Sequence, residues 1–296
     1  MTPVRGRLAP TPSGYLHLGN AYNLVLNWLW VRSQAGLMRL RIDDLDAARS
    51  RTEYLDDVFQ TLDWLGLDWD EGPSSVGEHL RSHSQALRSE RYQALLLDLK
   101  ERGALFACRC SRKEIRALDP EGRYPGTCRD LDLPWEQSDL AWRIKTIPHA
   151  KSEWLDGRLG PCKLEVHVVM PDFVVRRKDG LAAYQVASLS DDWDQGINLI
   201  VRGEDLMYST AAQLFLAQAL GRAWQAEVKF FHHPLIPDEA GKKLSKSAGS
   251  ASMQSWRKHK PGAETFYHWF AQQMGWPAKV STAQEALGYF VESQAG

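Results

Sequence analysis

The hydrophobic pattern changes period three times between Val4 and Gly66, and this restricts the fold more than any other feature of the chain. Val4 to Leu8 is a short strand candidate, ended by the turn residues Pro10, Pro12 and Gly14. From Ala21 onward Leu24, Val25, Trp28, Leu29 and Val31 recur at helical spacing, and Gly36 closes the helix. Met38, Leu40 and Ile42 then alternate with Arg39, Arg41 and Asp43, which is strand spacing. Ser50 and Glu53 have the spacing of a capping box and open a second helix, with Leu55, Val58, Phe59, Leu62 and Leu65 on one face and Gly66 as its stop. Strand, helix, strand, helix over so short a stretch calls for parallel βαβ construction, and hence an α/β fold.

The rhythm lapses after Asp70. A leucine-rich helix around Tyr92 to Leu99 leads into a cluster of cysteines, and a stretch punctuated by proline and glycine runs to about residue 165. Strand candidates return at 164–169 and 172–176. Near residue 190 the α/β alternation resumes, with a strand at Ile197 to Val201, a helix from Ser209 to Leu220 and a strand at Glu227 to Phe231. The pattern predicts a nucleotide-binding fold over 1–70 and 190–255, split by an insertion over 71–189 and followed by a small helical segment over 256–296. The aromatic run Phe266 to Phe270 reads as a packed helix.

With 36 Lys and Arg against 37 Asp and Glu the net charge is −1, so contact with nucleic acid has to use local basic patches. No apolar stretch approaches a membrane span, and Met1 to Arg7 lacks the apolar core of a signal peptide; the expectation is a cytoplasmic protein. Four cysteines, three of them between 108 and 128, then read as metal ligands before disulfides.

Two short segments carry the chemistry. His17-Leu18-Gly19-Asn20 stands where the first strand hands over to the first helix, a place where backbone amides favour anions. Lys243-Leu244-Ser245-Lys246-Ser247 offers two ammonium groups and two hydroxyls, suited to charge developing on a phosphate. Each alone could be a plain helix-start turn or a solvated basic loop. Paired in this order, they suggest a site that holds ATP.

The residues from Arg7 to Asn20 resemble the opening of the glutamyl-tRNA synthetases of class I. Arg41-Ile42-Asp43-Asp44-Leu45-Asp46, Tyr184 with Asp191-Asp192, and Val201-Arg202-Gly203-Glu204-Asp205 are similar to later blocks of that family, in the same order, over about residues 5 to 250. The resemblance implies a Rossmann-type, doubly wound parallel sheet split by an inserted zinc-containing subdomain. It implies that Arg7, Leu8, Ala9, Pro10, Thr11, Asp43, Tyr184 and Arg202 bind glutamate, the arginines pairing with its carboxylates and Asp43 with its ammonium. It further implies that His17, Gly19, Asn20 and Lys246 meet ATP, with His17, Lys243 and Lys246 catalytic and Mg²⁺ accompanying the nucleotide. Two positions depart from the pattern: Asp43 stands where glutamate is usual, which leaves glutamine as a rival substrate, and Asn20 replaces the final histidine of the usual motif.

Only about 50 residues follow the lysine segment, so an anticodon-binding domain is not expected. In this the chain resembles the stand-alone glutamyl-Q tRNA(Asp) synthetase family, which attaches glutamate to queuosine in the anticodon loop of tRNA(Asp). A monomer is expected. The rivals are a short glutamyl or glutaminyl enzyme charging the tRNA 3′ end, and a catalytically idle RNA-binding relative. Cys108, Cys110 and Cys128 supply three thiolates for a tetrahedral zinc site. The resemblance adds Tyr124 as fourth ligand, which makes the zinc structural. Buried cysteines acting as small hydrophobes are the alternative, and Cys162 lies outside the cluster. Arg109, Arg112, Lys113, Arg116, Arg123 and Arg129 surround these ligands at a density suited either to RNA phosphates or to a solvated face.

Overall fold

Each period of the first 66 residues becomes an element in the computed structural model, which describes residues 2–46, 50–236, 252–260, 262–276 and 279–295. Strand β1 (Arg5–Leu8) leads to helix α1 (Leu18–Arg32), strand β2 (Leu37–Leu40), helix α2 (Thr52–Leu65) and the single turn α3 (Val76–Glu78). Helix α4 (Ser89–Glu101), strand β3 (Leu105–Cys108) and helix α5 (Arg112–Leu118) follow. Next come β4 (Ala141–Ile144), β5 (Lys151–Asp156), β6 (Gly160–Glu165), the turn α6 (Val166–Val169), β7 (Val174–Arg176) and α7 (Tyr184–Asp194). Then come β8 (Leu199–Gly203), α8 (Met207–Ala219), β9 (Lys229–His233), α9 (Met253–His259), α10 (Glu264–Gln273) and α11 (Ala283–Ala295). Two units form: Met1–Leu87 with Ile197–Glu204 and Phe231–Gly296, and Arg88–Gly196 with Asp205–Phe230. Among the described residues no helix is long and apolar enough to cross a membrane.

In the first unit β1 pairs with β2 in parallel, Arg5 opposite Leu37 through Leu8 opposite Leu40. The approach to β8 lies along β1, where the Asn198 N–H donates to the Arg5 carbonyl at 3.0 Å and its side-chain oxygen accepts from the Arg5 N–H at 2.8 Å. Helix α1 covers this sheet closely because Gly6 has no Cβ; one there would stand 2.3 Å from Val31 Cγ2. The Asn27 amide donates to the Val201 carbonyl at 3.0 Å and fixes α1 on β8. Leu8, Trp28, Met38 and Leu62 share one core with Phe266, Tyr267 and Phe270, so the aromatic run of α10 is core. Each such side chain contributes roughly 1.5–3 kcal/mol by leaving water.

In the second unit β3 and β4 are antiparallel, as are β4 and β7, and β5 forms an antiparallel hairpin with β6 while meeting Phe230 in parallel. The architecture is α/β with mixed sheets. Helix α7 is held on α4 by Asp191, which accepts from the Tyr92 hydroxyl at 2.9 Å and from Arg88 Nε at 2.6 Å.

Four local expectations need correction. Helix α1 ends at Arg32, and the chain reverses on Ala35 with φ +48°; Gly36 is required because a Cβ would lie 2.8 Å from the Val4 carbonyl oxygen. Ser50 does not cap α2: its N–H donates to the Asp46 carbonyl, and Arg51 takes the cap position. The alternating residues 164–169 do not stay extended, since β6 stops at Glu165 and Val166–Val169 form one helical turn. That turn buries Val166 while Val168 is exposed, so packing overrides the β preference of both valines. The strand expected from Ile197 begins two residues later, at Leu199.

Gly72 sits at φ +112°, where a Cβ would stand 2.2 Å from the Leu40 carbonyl oxygen. Gly72→Ala is expected to cost at least about 2 kcal/mol and to lower Tm by roughly 5 °C in calorimetry. Gly288→Ala, on a helix with open space around it, is the control and leaves Tm unchanged or slightly raised.

Candidate active site

The pairing of β1 with β2 continues beyond their carboxyl ends. The Arg41 N–H donates to the Leu8 carbonyl and the Asp43 N–H to the Pro10 carbonyl, both at 2.9 Å, so residues 9–11 and 41–43 run side by side. Ligands of parallel α/β sheets bind at this edge. Arg7 on β1 and Arg202 on neighbouring β8 are 5% and 2% exposed, which puts two guanidinium groups inside the unit. The Asp43 carboxylate accepts from Arg41 Nε at 2.7 Å and Nη2 at 3.3 Å, and both side chains are buried. Arg41 was not singled out from the sequence, although residues two apart share one face of an extended chain. Asp44 has a different task. It accepts from Ser84 Oγ at 2.7 Å and the Gln85 N–H at 2.8 Å, and contacts His79 Nε2 at 2.8 Å. Burial works to raise its pKa, but His79, the Gln85 amide and Ser84 prevail and hold it below the usual carboxylate range.

His17 occupies the N-cap of α1, and its N–H donates to Asn20 Oδ1 at 3.1 Å. Asn20 therefore shapes the turn. Gly19 leaves room for the imidazole, since a Cβ would lie 3.2 Å from His17 Cε1. The turn is pinned on both sides. The Leu16 N–H donates to Asp57 Oδ2 at 2.8 Å, and the Met253 N–H donates to the Leu16 carbonyl at 2.7 Å. His17 and Ser252 form an antiparallel bridge, and Arg257 Nη2 donates to Asp57 Oδ1 at 2.7 Å. The chain that follows residues 237–251 thus re-enters the fold against the His17 turn. Lys243 and Lys246 lie outside the described residues. Further along α1, Asn23 Oδ1 meets His233 Nε2 at 3.2 Å, a polar contact with no sequence signal.

A family model for the catalytic domain of the class I tRNA synthetases of the E and Q type matches residues 3–287. The chain belongs to this family. It is 38% identical over 268 residues to a protein named glutamyl-Q tRNA(Asp) synthetase from Nitratidesulfovibrio vulgaris, spanning 86% of this chain and 81% of that one. A protein of the same name from Symbiobacterium thermophilum is 40% identical over 274 residues, 88% of this chain and 83% of that one. The crystal structure of a glutamate tRNA ligase from Elizabethkingia meningosepticum superimposes with a TM-score of 0.77 at 23% identity, over 96% of this chain and 64% of that chain. At that identity the likeness is one of fold. This chain is therefore a synthetase-class enzyme, a ligase by type.

In the second unit of the synthetase, Tyr184 opens α7 and is 40% exposed. The sulfur atoms of Cys108, Cys110 and Cys128 lie within 4.8 Å of one another, the last two 3.5 Å apart. The Tyr124 hydroxyl oxygen accepts from the Cys108 thiol at 3.5 Å and from the Cys128 N–H at 2.7 Å. Metal–sulfur bonds of about 2.3 Å give a tetrahedron with edges of about 3.8 Å, so one ion fits among these atoms. Burial, the Cys128 contact and the neighbouring thiols push the Cys110 thiol up to about 12. For Cys128 burial is outweighed by donors, the Arg109 backbone and Tyr124 among them, which lower its pKa. A bound cation would relieve the crowding that Cys110 feels. Cys162 stands apart from the cluster, on β6.

Because the pKa of Asp44 is lower folded than unfolded, its stabilisation is present above the unfolded value near 4 and fades as the pH falls below it. Asp44→Asn is expected to cost about 1–3 kcal/mol at pH 7 in urea unfolding. The gap to the unsubstituted protein should narrow in the same measurement at pH 3.5.

Proposed function

We propose that this synthetase joins L-glutamate to ATP, giving glutamyl-adenylate and pyrophosphate, and then esterifies queuosine in the anticodon loop of tRNA(Asp). One observation carries the chemistry: Met253 and Ser252 are stitched to Leu16 and His17. Lys246 stands six positions before Ser252 in the sequence, which supports a reading in which the lysine segment serves the His17 turn. The substrate class is supported by the relatives named glutamyl-Q tRNA(Asp) synthetase.

A glutamate carboxylate oxygen attacks the α-phosphorus, and the bond to the β-phosphate oxygen breaks, releasing pyrophosphate. His17, Lys243, Lys246 and the first amides of α1 face the charge that grows on the phosphoryl oxygens. Gly19 and Asn20 set the turn against the nucleotide, whose phosphates carry Mg²⁺. Arg7 and Arg202 take carboxylates, a match for guanidinium forks. Asp43 receives the ammonium group: a carboxylate has about four lone-pair sites, so it can serve Arg41 and a ligand together. Leu8 to Thr11 line the edge with backbone. A hydroxyl of the queuosine cyclopentene ring then attacks the acyl carbon, the bond to the AMP oxygen breaks, and the proton passes to the adenylate phosphate.

Cys108, Cys110, Tyr124 and Cys128 would hold a structural zinc ion, whose contribution is cross-linking, with no open position for catalysis. Family resemblance supports a doubly wound sheet over 1–70 and 190–255, a metal-braced insertion over 71–189 and a helical segment over 256–296. A cytoplasmic monomer suits a protein that needs ATP and tRNA.

Purified protein should catalyse glutamate-dependent ATP–pyrophosphate exchange without tRNA, and Lys246→Ala should lower the rate on the order of 100-fold or more. Absence of exchange with glutamate would refute the proposal; exchange with glutamine instead would move the substrate. Labelled glutamate should transfer to tRNA(Asp) that carries queuosine and not to tRNA lacking it, whereas charging of both would favour 3′-end esterification. Elemental analysis should find zinc at one equivalent, lost together with several degrees of Tm in Cys128→Ser.

A further inference from the structure

A cavity of about 400 Å³ opens beside the cysteine cluster, wholly within the second unit. Arg112, Arg116, Arg123 and Arg143 line it, with Glu121 as its acid and Phe173 among its apolar walls. Arg123 is committed to Asp119 at 2.8 Å and to Glu121 at 3.1 Å. Neither Arg112 nor Arg116 has an ion-pair partner among the described residues. Arg143 is 6% exposed and stands over the Tyr124 ring, with Cζ 3.8 Å from the centroid. Its Nη1 donates to the Asp172 carbonyl at 2.8 Å, it meets no carboxylate, and its Nε has no acceptor. A guanidinium buried without an anion is destabilising, and an anion entering the cavity offsets that cost. The volume lies in the range of small-ligand clefts, and an apolar wall beside cations suits a group with a flat base and a charged phosphate.

We propose that this cavity seats one nucleotide of a single-stranded RNA segment, its phosphate among Arg112, Arg116 and Arg143 and its base against the Phe173 wall. The partner is the tRNA of the proposed function, so the site deepens that proposal by naming a contact away from the adenylate chemistry. Loop nucleotides fit because their bases are unstacked and free to splay, which duplex bases are not. Backbone contacts of this kind leave a salt signature, about 0.7 of a unit in the slope of log Kd against log salt for each single-strand phosphate held.

Filter binding of tRNA(Asp) to the full protein, zinc content intact, tests the assignment. Arg112→Ala with Arg116→Ala should weaken Kd roughly 10- to 100-fold and flatten the salt slope by about 1 to 2, while the matching lysine pair keeps most of the affinity. Unchanged affinity and slope overturn the proposal. A second measurement needs no variant: arginine modification by phenylglyoxal, mapped by mass spectrometry, should be suppressed at Arg112 and Arg116 by tRNA. Protection by inorganic phosphate without protection by tRNA, or no protection at all, also overturns it. Exchange of pyrophosphate with glutamate requires no tRNA, so its failure would strike the adenylation chemistry and leave the cavity to be judged by footprinting.

Discussion

The buried carboxylate of Asp57 is the interaction on which the arrangement of the first unit depends. It sits on α2, 2% exposed, and receives the Leu16 N–H on one oxygen and the Arg257 guanidinium on the other. Arg257 also reaches Thr61 Oγ1 at 2.5 Å. A loop before α1, the middle of α2 and helix α9 are thereby joined at one charge. Loss of a single partner would leave a buried charge or amide unmatched, at a cost of about 3–5 kcal/mol for the ion pair. Because Leu16 is fixed by Asp57, its carbonyl is aimed at Met253 and His17 is set at the start of α1. The geometry on which adenylation chemistry would rely is downstream of an ion pair that touches no substrate.

The same unit separates two adjacent acids by function. Asp43 and Asp44 are both buried but take different main partners. Asp43 turns to Arg41 at the carboxyl edge of the strands, where a ligand ammonium can join the pair. Asp44 gathers His79, Ser84 and the Gln85 N–H, which holds the 79–85 segment in place, while the Gln85 side-chain amide reaches Asp43 at 3.5 Å. Burial would favour a protonated Asp44, yet three donors keep it charged.

Around the cysteines of the second unit, polar anchoring supplements a small local apolar cluster. The apolar cluster around the metal-ligand candidates consists of Phe106, Cys108, Ile115, Tyr124 and Cys128, so three of its members are candidate ligands themselves. Asp172 strengthens the region, accepting from Arg129 Nη1 at 2.5 Å and from the Thr146 N–H at 2.8 Å. Arg129 follows Cys128 directly and carries that restraint to the cysteine loop. With so little apolar area to bury, a cation bound by the cysteines would contribute folding energy of its own.

Local periodicity made β1, α1, β2 and α2 legible, because apolar spacing of two or of about 3.6 is imposed by the backbone whatever the neighbours are. The cysteine spacing and the His17 turn were legible for a similar reason: short-range geometry follows from chain length. Gly66 stopped α2 as expected, with φ +70°. The Arg41–Asp43 pair, the Asp57–Arg257 tie and the helical turn at Val166 were not legible, nor was the demand that Gly36 clear the Val4 carbonyl. Arg41 and Asp43 are two positions apart yet pair only once both are buried, whereas Asp57 and Arg257 meet across 200 positions. Spacing along a polypeptide specifies which surfaces are apolar and where turns fall, but buried charges choose their partners only after those surfaces have packed and water has been excluded.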